Sequence, residues 1–217
     1  MNYKIIIFSI IVFSFLFSCS GDKSTNSNQD NTESITIGTQ VWMKKNLDVD
    51  HYRNGDPIPK VVDYRQWDNL KSGAWCYNKN DSTLGATYGR LYNWYALNDH
   101  RGLAPQGWHI PSESEWTTLI NFLGGENIAG GALKEVGNVH WEDPNIAYNV
   151  VGFTALPGGY RDDIGGFKSV GSCCGWWFST EYDSIEAFRM ILDHDFNKIF
   201  LDNSDKTCGF SIRCIKD

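Results

Sequence analysis

Hydrophobic and polar residues alternate near both ends of the chain, which predicts short β-strands. Towards the N-terminal end, residues 35–37 and 41–43 flank Gly38 and predict a small hairpin. In the C-terminal third, hydrophobic residues of one parity recur in three runs separated by turn residues, so we expect an antiparallel meander there. The three runs contain Phe188, Met190 and Leu192, then Ile199 and Leu201, and then Cys208, Phe210, Ile212 and Cys214.

The clearest helix signal begins at Ser112. Ser112 and Glu115 have the spacing of a capping box, and Gly124 with Gly125 predicts the end of the helix about three turns later. Glu113 and Glu115 are not spaced as a general-acid pair, because glycosidase carboxylates face each other across a substrate about 5 to 9 Å apart. We expect both carboxylates to stabilise the N-terminus of the helix.

Two further helices are predicted in the middle of the chain. Leu91, Trp94 and Tyr95 recur at the spacing of one helical face, so residues 90–98 are expected to form a short helix. A second short helix is expected over residues 128–136.

The first residues predict export. Lys4 precedes an apolar run over residues 5–17, which is shorter than the roughly 20 residues of a membrane-spanning helix. We therefore predict a cleaved signal peptide over residues 1–18. Leu16, Ser18 and Cys19 resemble the lipobox of bacterial lipoproteins, in which the cysteine is acylated and becomes the mature N-terminus. Cys19 is accordingly the predicted lipid anchor, and an outer-membrane lipoprotein of the cell envelope is the predicted location.

Residues 20–34 contain neither aromatic nor aliphatic side chains. Such a segment cannot bury enough apolar surface to offset its ordering entropy, so residues 19–34 are expected to be a lipidated tether. A random coil of this length reaches about 20 Å. Residues 35–217 remain as one globular domain.

The composition of the chain makes some classes of partner improbable. Aromatic residues make up 14% of the chain and include nine tryptophans, so many large rings either fill a core or face a ligand. The net charge of −7 supplies no basic surface, which makes nucleic acid and anionic lipid headgroups improbable partners. No cofactor is expected.

Six blocks rich in glycine and tryptophan follow one another along the chain. Their order and sequence closely resemble the family called the Fibrobacter succinogenes major paralogous domain, which occurs on bacterial exported and lipid-anchored proteins. The resemblance covers about residues 35–217 and implies no settled biochemical activity. The blocks are IGTQVWMKKNL at 37–47, TYGRLYNWY at 87–95, GWHIPSESEW at 107–116, GFTALPGGYR at 152–161, WFSTE at 177–181 and CGFSIRCI at 208–215.

The fold expected from this pattern is α+β and resembles the C-type-lectin-like fold. Terminal strands would close on each other around two to three short helices and long loops. The third and last blocks also resemble the formylglycine-generating, sulfatase-modifying family, which uses that fold. Since one fold hosts many functions, this analogy concerns architecture alone.

Five cysteines follow Cys19, and an exported protein is expected to use such residues in disulfides, with one thiol left over. Cys208 and Cys214 lie about 20 Å apart if they share one strand, which is too far for a bridge. Cys76 with one of them, and Cys173 or Cys174 with the other, is compatible with the sequence, which leaves the pairing open. The paired catalytic cysteines of the sulfatase-modifying enzymes have a spacing that is absent here.

No metal site is predicted. The five histidines lack the HxxxH and HExxH spacings of zinc sites. Residues 142–145 resemble the Glu-Pro-Asn calcium motif of lectins, but the inserted Asp143 favours a simple turn.

One loop combines planar hydrogen-bonding groups with aromatic residues, a mixture suited to a sugar or peptide. A glycine-rich turn joined to a strand with core tryptophans explains the same residues. The predicted ligand-binding residues are Tyr160, Arg161, Asp162, Asp163, Trp176 and Trp177.

These observations predict a lipid-anchored extracytoplasmic protein without catalytic residues. Its expected role is recognition or adhesion, with a polysaccharide or another surface component as ligand. Two alternatives from other classes stay open, namely an enzyme on a formylglycine-generating scaffold and a structural envelope protein.

Overall fold

The computed structural model of the protein describes residues 33–217. The predicted signal peptide 1–18, the lipid anchor Cys19 and tether residues 20–32 lie outside the described residues. Within the described part, the chain is α+β, with short antiparallel strands in small sheets and five helices. No helix in residues 33–217 is long and apolar enough to cross a membrane.

The strands are two to four residues long, apart from three strands of seven to nine residues in the C-terminal third. The strands are β1 Ser34–Ile37, β2 Gln40–Met43, β3 Trp75–Cys76, β4 Leu91–Tyr92, β5 Trp108–His109, β6 Tyr160–Arg161, β7 Phe167–Lys168, β8 Cys173–Glu181, β9 Glu186–Asp193, β10 Ile199–Asp205 and β11 Ile215–Lys216. The helices are α1 Tyr64–Asp68, α2 Ser82–Tyr88, α3 Trp94–Leu97, α4 Glu113–Phe122 and α5 Glu126–Leu133, with a 3₁₀ turn over Asn78–Asn80.

The two ends of the domain meet in one four-stranded sheet, in the order β1–β2–β11–β5. The predicted hairpin is confirmed, because β1 and β2 pair antiparallel with Ile37 opposite Gln40. The folded region starts slightly earlier than predicted. Ser34 belongs to β1, and the Glu33 carbonyl accepts a 2.9 Å hydrogen bond from the Lys44 amide.

Strands β8, β9 and β10 form an antiparallel meander in the order β10–β9–β8. The first two predicted runs are confirmed as β9 and β10. The third is wrong as a single strand, because residues 206–215 are buried without interruption and bridge three separate segments, at Tyr92, Arg161 and Trp176. The predicted parity nevertheless holds. The residues that share one hydrophobic cluster are Cys208, Phe210, Ile212 and Cys214.

Strand β8 is buried on both faces because it lies between two hydrophobic clusters. Trp177 packs into the cluster that contains Phe210. Trp176 packs into the other cluster, against Trp116 and Phe153. Successive side chains of a strand point to opposite faces, so neighbouring tryptophans support different halves of the domain.

The predicted capping box is confirmed at the start of α4. The Ser112 hydroxyl accepts a hydrogen bond from the Glu115 amide, and the Glu115 carboxylate accepts one from the Ser112 amide at 2.8 Å. The helix predicted over 128–136 is present as α5, which begins two residues earlier and ends at Leu133.

The helix predicted over 90–98 forms only in part. Leu91 lies in β4, and the Asn93 side chain then caps α3 by accepting a 3.1 Å hydrogen bond from the Ala96 amide. The same Asn93 oxygen accepts a 2.9 Å bond from the Ala74 amide, so a tertiary contact sets the start of this helix. Helices α1 and α2 were not predicted, since five to seven residues are too few to establish a helical period.

The expected disulfides are absent from the structure. All five cysteines among residues 33–217 are buried and unbridged. The prediction was wrong because the segment around Cys208 and Cys214 passes through the centre of the domain, where these thiols pack as small hydrophobic side chains.

Candidate binding site

Three of the six predicted ligand-binding residues are buried. Trp176, Trp177 and Arg161 each have 0% of their surface exposed, so they offer no face to a ligand. For these residues the binding prediction is wrong, and the alternative interpretation as core residues holds. The two tryptophans lie on a strand that is covered on both sides.

Arg161 holds the hairpin β6–β7 against the region before α1. Its guanidinium donates hydrogen bonds to the carbonyl oxygens of Gly165, Val61 and Val62 at 2.8 to 3.1 Å. It also lies 4.3 Å from the ring centroid of Trp67. These contacts bury a charge by giving it several hydrogen-bond acceptors.

The other three predicted residues meet at one recess. Tyr160 and Asp162 are half-buried and Asp163 is exposed, and all three line a cavity of about 390 Å³, here called the Tyr160 cavity. That volume lies within the usual range of small-molecule sites. The rest of the lining consists of Ser169, Cys173, Arg189, Ile191, Asp193, Ser204, Cys208 and Phe210.

One face of the meander forms part of the wall of the Tyr160 cavity. Cys173 on β8 pairs with Asp193 on β9, and Gly175 pairs with Ile191. Gly175 leaves room in this wall, since a Cβ there would lie 2.8 Å from the Phe210 ring and 2.6 Å from Ile191. The absent side chain is therefore what lets Phe210 reach the cavity.

An aromatic stack supports Tyr160. Its ring lies nearly parallel to that of Phe210, at 5.2 Å between centroids and 19° between planes. Phe210 in turn meets Trp177 edge-to-face at 4.8 Å. Burial raises the pKa of Tyr160, so its hydroxyl remains a neutral hydrogen-bond donor under physiological conditions.

Two of the four charged residues that line the cavity, Asp162 and Arg189, are paired within the protein. Asp162 lies 3.2 Å from Lys168 and accepts a hydrogen bond from the Gly166 amide. Arg189 donates to the Ser204 hydroxyl at 3.0 Å and lies 3.3 Å from Asp202. Asp163 forms no ion pair within residues 33–217, and Asp193 has only His194, at 3.8 Å, so the cavity presents fixed polar groups together with unpaired carboxylates.

Two buried thiols also line the cavity. Burial raises the pKa of Cys173 to about 11 and that of Cys208 to about 12, and nearby Asp163 adds to the second shift. Both thiols are therefore protonated at neutral pH, and a protonated thiol is a poor nucleophile.

Sequence reasoning missed Arg189, Asp193 and Ser204. The alternation of β9 contained the signal for the first two, because residues of opposite parity to Met190 and Leu192 must face away from the core. No comparable local signal marks Ser204. It joins the site through cross-strand pairing of β9 and β10.

One group of potential metal ligands occurs among the described residues. Single ligand atoms of Asp193, His194 and Asp195 lie within 4.8 Å of one another. Lys134 already places a positive charge at this turn, with Nζ bonded to the Asp193, His194 and Phe196 carbonyls at 2.7 to 2.9 Å. The cluster is therefore explained as a turn neutralised by a buried lysine.

The profile of the family described as the Fibrobacter succinogenes major domain matches residues 35–216. The chain belongs to this family. No curated protein and no solved structure matches the chain. In this Fibrobacter succinogenes major domain, the block at 152–161 supplies Tyr160, and the last block supplies Cys208 and Phe210. The family blocks thus contribute to both the core and the candidate site.

Proposed function

We propose that this protein is a lipid-anchored, extracytoplasmic recognition module whose Tyr160 cavity binds a carbohydrate or a similar polar ligand of a surface. The observation that carries the proposal is the convergence of an aromatic residue, Tyr160, with Asp162, Asp163 and Arg189 at one cavity of about 390 Å³.

The cavity has the chemistry that sugar binding requires. A sugar presents apolar C–H faces that pack on an aromatic ring and hydroxyls that need several fixed hydrogen-bond partners. The stack of Tyr160 on Phe210 orients the phenol ring, and the bonds of Arg189 to Ser204 and Asp202 orient its guanidinium. Such preorganisation reduces the entropy lost on binding.

We place the domain in the C-type-lectin-like architecture. This assignment is supported by the sheet that joins β1 and β2 to β11 and by the central pair of helices α4 and α5. Export, acylation of Cys19 and location at the outer membrane belong to the same proposal. They are supported by the leader sequence and the lipobox resemblance.

A binding role is favoured over catalysis by the state of the cavity thiols. A thiol-dependent enzyme needs an accessible cysteine of lowered pKa. Cys173 and Cys208 are instead buried, with pKa values raised to about 11 and about 12. The structural-envelope alternative predicts no ligand for the cavity at all.

The test is a glycan array probed with the full chain carrying Cys19→Ser, so that an acyl group does not interfere. Tyr160→Ala is compared with Tyr182→Ala, which removes an exposed ring outside the cavity lining. We expect the first variant to lose binding by ten-fold or more, about 1.4 kcal/mol, and the second to retain it. Equal loss in both variants, or no binding by the parent, would overturn the proposal.

Anchoring is tested separately by growing cells with a fatty-acid analogue. We expect the wild-type chain to be labelled and Cys19→Ser to remain unlabelled. An unlabelled wild-type chain would contradict acylation while leaving the binding test intact.

A further inference from the structure

A second recess lies apart from the Tyr160 cavity and shares no lining residue with it. It consists of two adjoining cavities of about 260 and 420 Å³, which have Lys44, Lys45, Thr154 and Leu156 in common. We call the combined recess the Lys44 groove. Its other lining residues include Glu33, Ile35, Asn46, Asp48, Thr87 and Arg213.

Arg213 contributes a buried positive charge to the groove. It is only 2% exposed, and no carboxylate among residues 33–217 forms an ion pair with it. Burial lowers the pKa of Arg213 to about 9, which reflects the cost of holding this charge away from water. Buried charges in proteins are normally paired, so this guanidinium lacks the anionic partner that a buried cation usually has.

The hydrogen bonds of Arg213 leave part of its guanidinium available. Nε and Nη2 donate to Oδ1 of Asn46 at 3.1 and 2.9 Å, and Nη1 donates to the Phe153 carbonyl. These bonds use three of the five N–H groups of an arginine. The Phe153 ring lies 4.1 Å from the guanidinium carbon and the Trp176 ring 5.6 Å from it, so packing and hydrogen bonds hold the group in place at the wall of the groove.

Two further cations lie at the rim. Lys44 and Lys45 are exposed, and neither pairs with a carboxylate of the described domain. Of the two acidic residues that line the groove, Asp48 is engaged by Arg90. Glu33 lines the larger of the two cavities together with Lys44 and Lys45, but it forms no ion pair with either lysine. The groove therefore holds three cations and one carboxylate that is not already paired, in a protein whose net charge is −7.

We propose that the Lys44 groove binds the oxyanion of an acidic ligand, a carboxylate, sulfate or phosphate, through Arg213, Lys44 and Lys45. Arginine suits such a group because its planar fork donates parallel hydrogen bonds, while lysines add positive charge. Ile35 and Leu156 give the same groove an apolar side for the rest of the ligand. An acidic polysaccharide and an anionic lipid headgroup both offer this chemistry.

The proposal differs from the expectation, drawn from net charge alone, that anionic lipid headgroups are improbable partners. Net charge sums over the whole surface, whereas a ligand responds to the charges within about a Debye length, roughly 8 to 10 Å. The acidic residues elsewhere on the domain are screened at that distance. The local excess of cations in the groove then decides which ligand is attracted.

The test uses the full chain with Cys19→Ser and two probes, a polygalacturonate oligomer and phosphatidylcholine vesicles with and without phosphatidylglycerol. The variant Lys44→Gln with Lys45→Gln is matched to Lys71→Gln with Lys216→Gln, which makes the same charge change at exposed lysines outside the groove. We expect the groove variant to bind the successful probe at least about ten-fold more weakly and the matched variant to change less than about two-fold.

Binding of the oligomer identifies an acidic polysaccharide as the source of the oxyanion, and selective binding of phosphatidylglycerol vesicles identifies a lipid. Added salt should weaken either interaction, because exposed charges contribute to it. Binding of neither probe, or equal weakening in both variants, would overturn the proposal. Lys44 and Lys45 are exposed, so their substitution should not unfold the protein, and a loss of binding would then report on the groove itself. A denaturation curve for each variant checks this.

Discussion

Two recesses of this domain are supported by neighbouring tryptophans of β8 and differ in how their charges are satisfied. Trp177 supports the Tyr160 cavity through Phe210. Trp176 supports the Lys44 groove, because its indole nitrogen donates a 2.9 Å hydrogen bond to the Asn46 oxygen that also binds Arg213. One strand thus supports two sites of different chemistry.

The difference arises from the kind of backbone that forms each recess. The cavity lies on a regular antiparallel sheet, where cross-strand neighbours such as Asp202 and Ser204 pair with Arg189. The groove is lined mainly by loops, and neither Arg213 nor Lys44 forms an ion pair within residues 33–217, although Glu33 lies opposite Lys44 in the first hairpin. The carboxylates of the cavity disfavour an anion and suit a neutral polar ligand, whereas the cations of the groove suit an anion.

The largest effect is expected from Trp177→Ala and Trp176→Ala. Removing a fully buried indole leaves a cavity, so each variant should lose about 3 to 5 kcal/mol of unfolding free energy. Urea unfolding of both variants, with the exposed Tyr182→Ala as control, measures this loss. A tryptophan variant that retained wild-type stability would break the assignment of these rings to the core.

A second prediction compares the buried Lys134 with the half-exposed Lys168. All three N–H groups of Lys134 are bonded to carbonyls, unlike those of Arg213. Lys134→Met should leave those carbonyls without donors and cost about 3 kcal/mol. Lys168→Met, at a half-exposed pair with Asp162, should cost less than about 1 kcal/mol in the same urea titration.

Lys134 also serves as a negative control for anion binding by the groove. Added sulfate should not alter the stability difference between wild type and Lys134→Met, because that lysine has no donor left for an anion. A sulfate-dependent difference would mean that Lys134 is itself part of an anion site.

The third prediction concerns the independence of the two recesses. Tyr160→Ala should weaken binding of a neutral glycan at least about ten-fold, about 1.4 kcal/mol, without changing anion binding. The Lys44→Gln, Lys45→Gln variant should show the reverse pattern, since the recesses share no lining residue. Titration of each variant with both ligands tests this. Equal losses for both ligands would show one coupled site.

The smallest expected effect lies outside both recesses, at His109. Burial lowers the pKa of His109, but hydrogen bonds to Glu115 at 2.7 Å and Asp217 at 2.8 Å leave it raised above 6.5. A raised pKa stabilises the fold fully below the unfolded value, and this stabilisation is lost as pH rises through the folded value.

Stability of the wild type relative to His109→Gln should therefore be greatest below the unfolded pKa of about 6.5 and decline as pH rises through the higher folded pKa. The change should stay below about 1 kcal/mol, because the His109 side chain is 39% exposed. Thermal unfolding across this range measures it. A stability difference that grows with pH would contradict the pairing of His109 with Glu115 and Asp217. Altered ligand binding by His109→Gln would show that this cluster is part of one of the recesses.

The sequence alone predicted the features that depend on neighbours along the chain. Gly38 predicted the first hairpin, Ser112 with Glu115 predicted the capped start of α4, and the parity of Met190 and Leu192 predicted the core face of β9. Each depends on residues a few positions apart, whose relation follows from the period of a helix or strand. The family blocks predicted the family itself.

The tertiary structure decided which residues lie at a surface. The sequence predicted Arg161 as a binding residue. Its guanidinium instead contacts the Val61 and Val62 carbonyls, which are about 100 residues away in sequence. The same holds for Trp176 and for the segment 206–215, which the fold covers on both sides. Burial depends on which distant segments pack together, and alternation along one segment carries no information about them. Local periodicity therefore determined elements such as β9 and α4, and long-range packing determined the start of α3 and the two recesses.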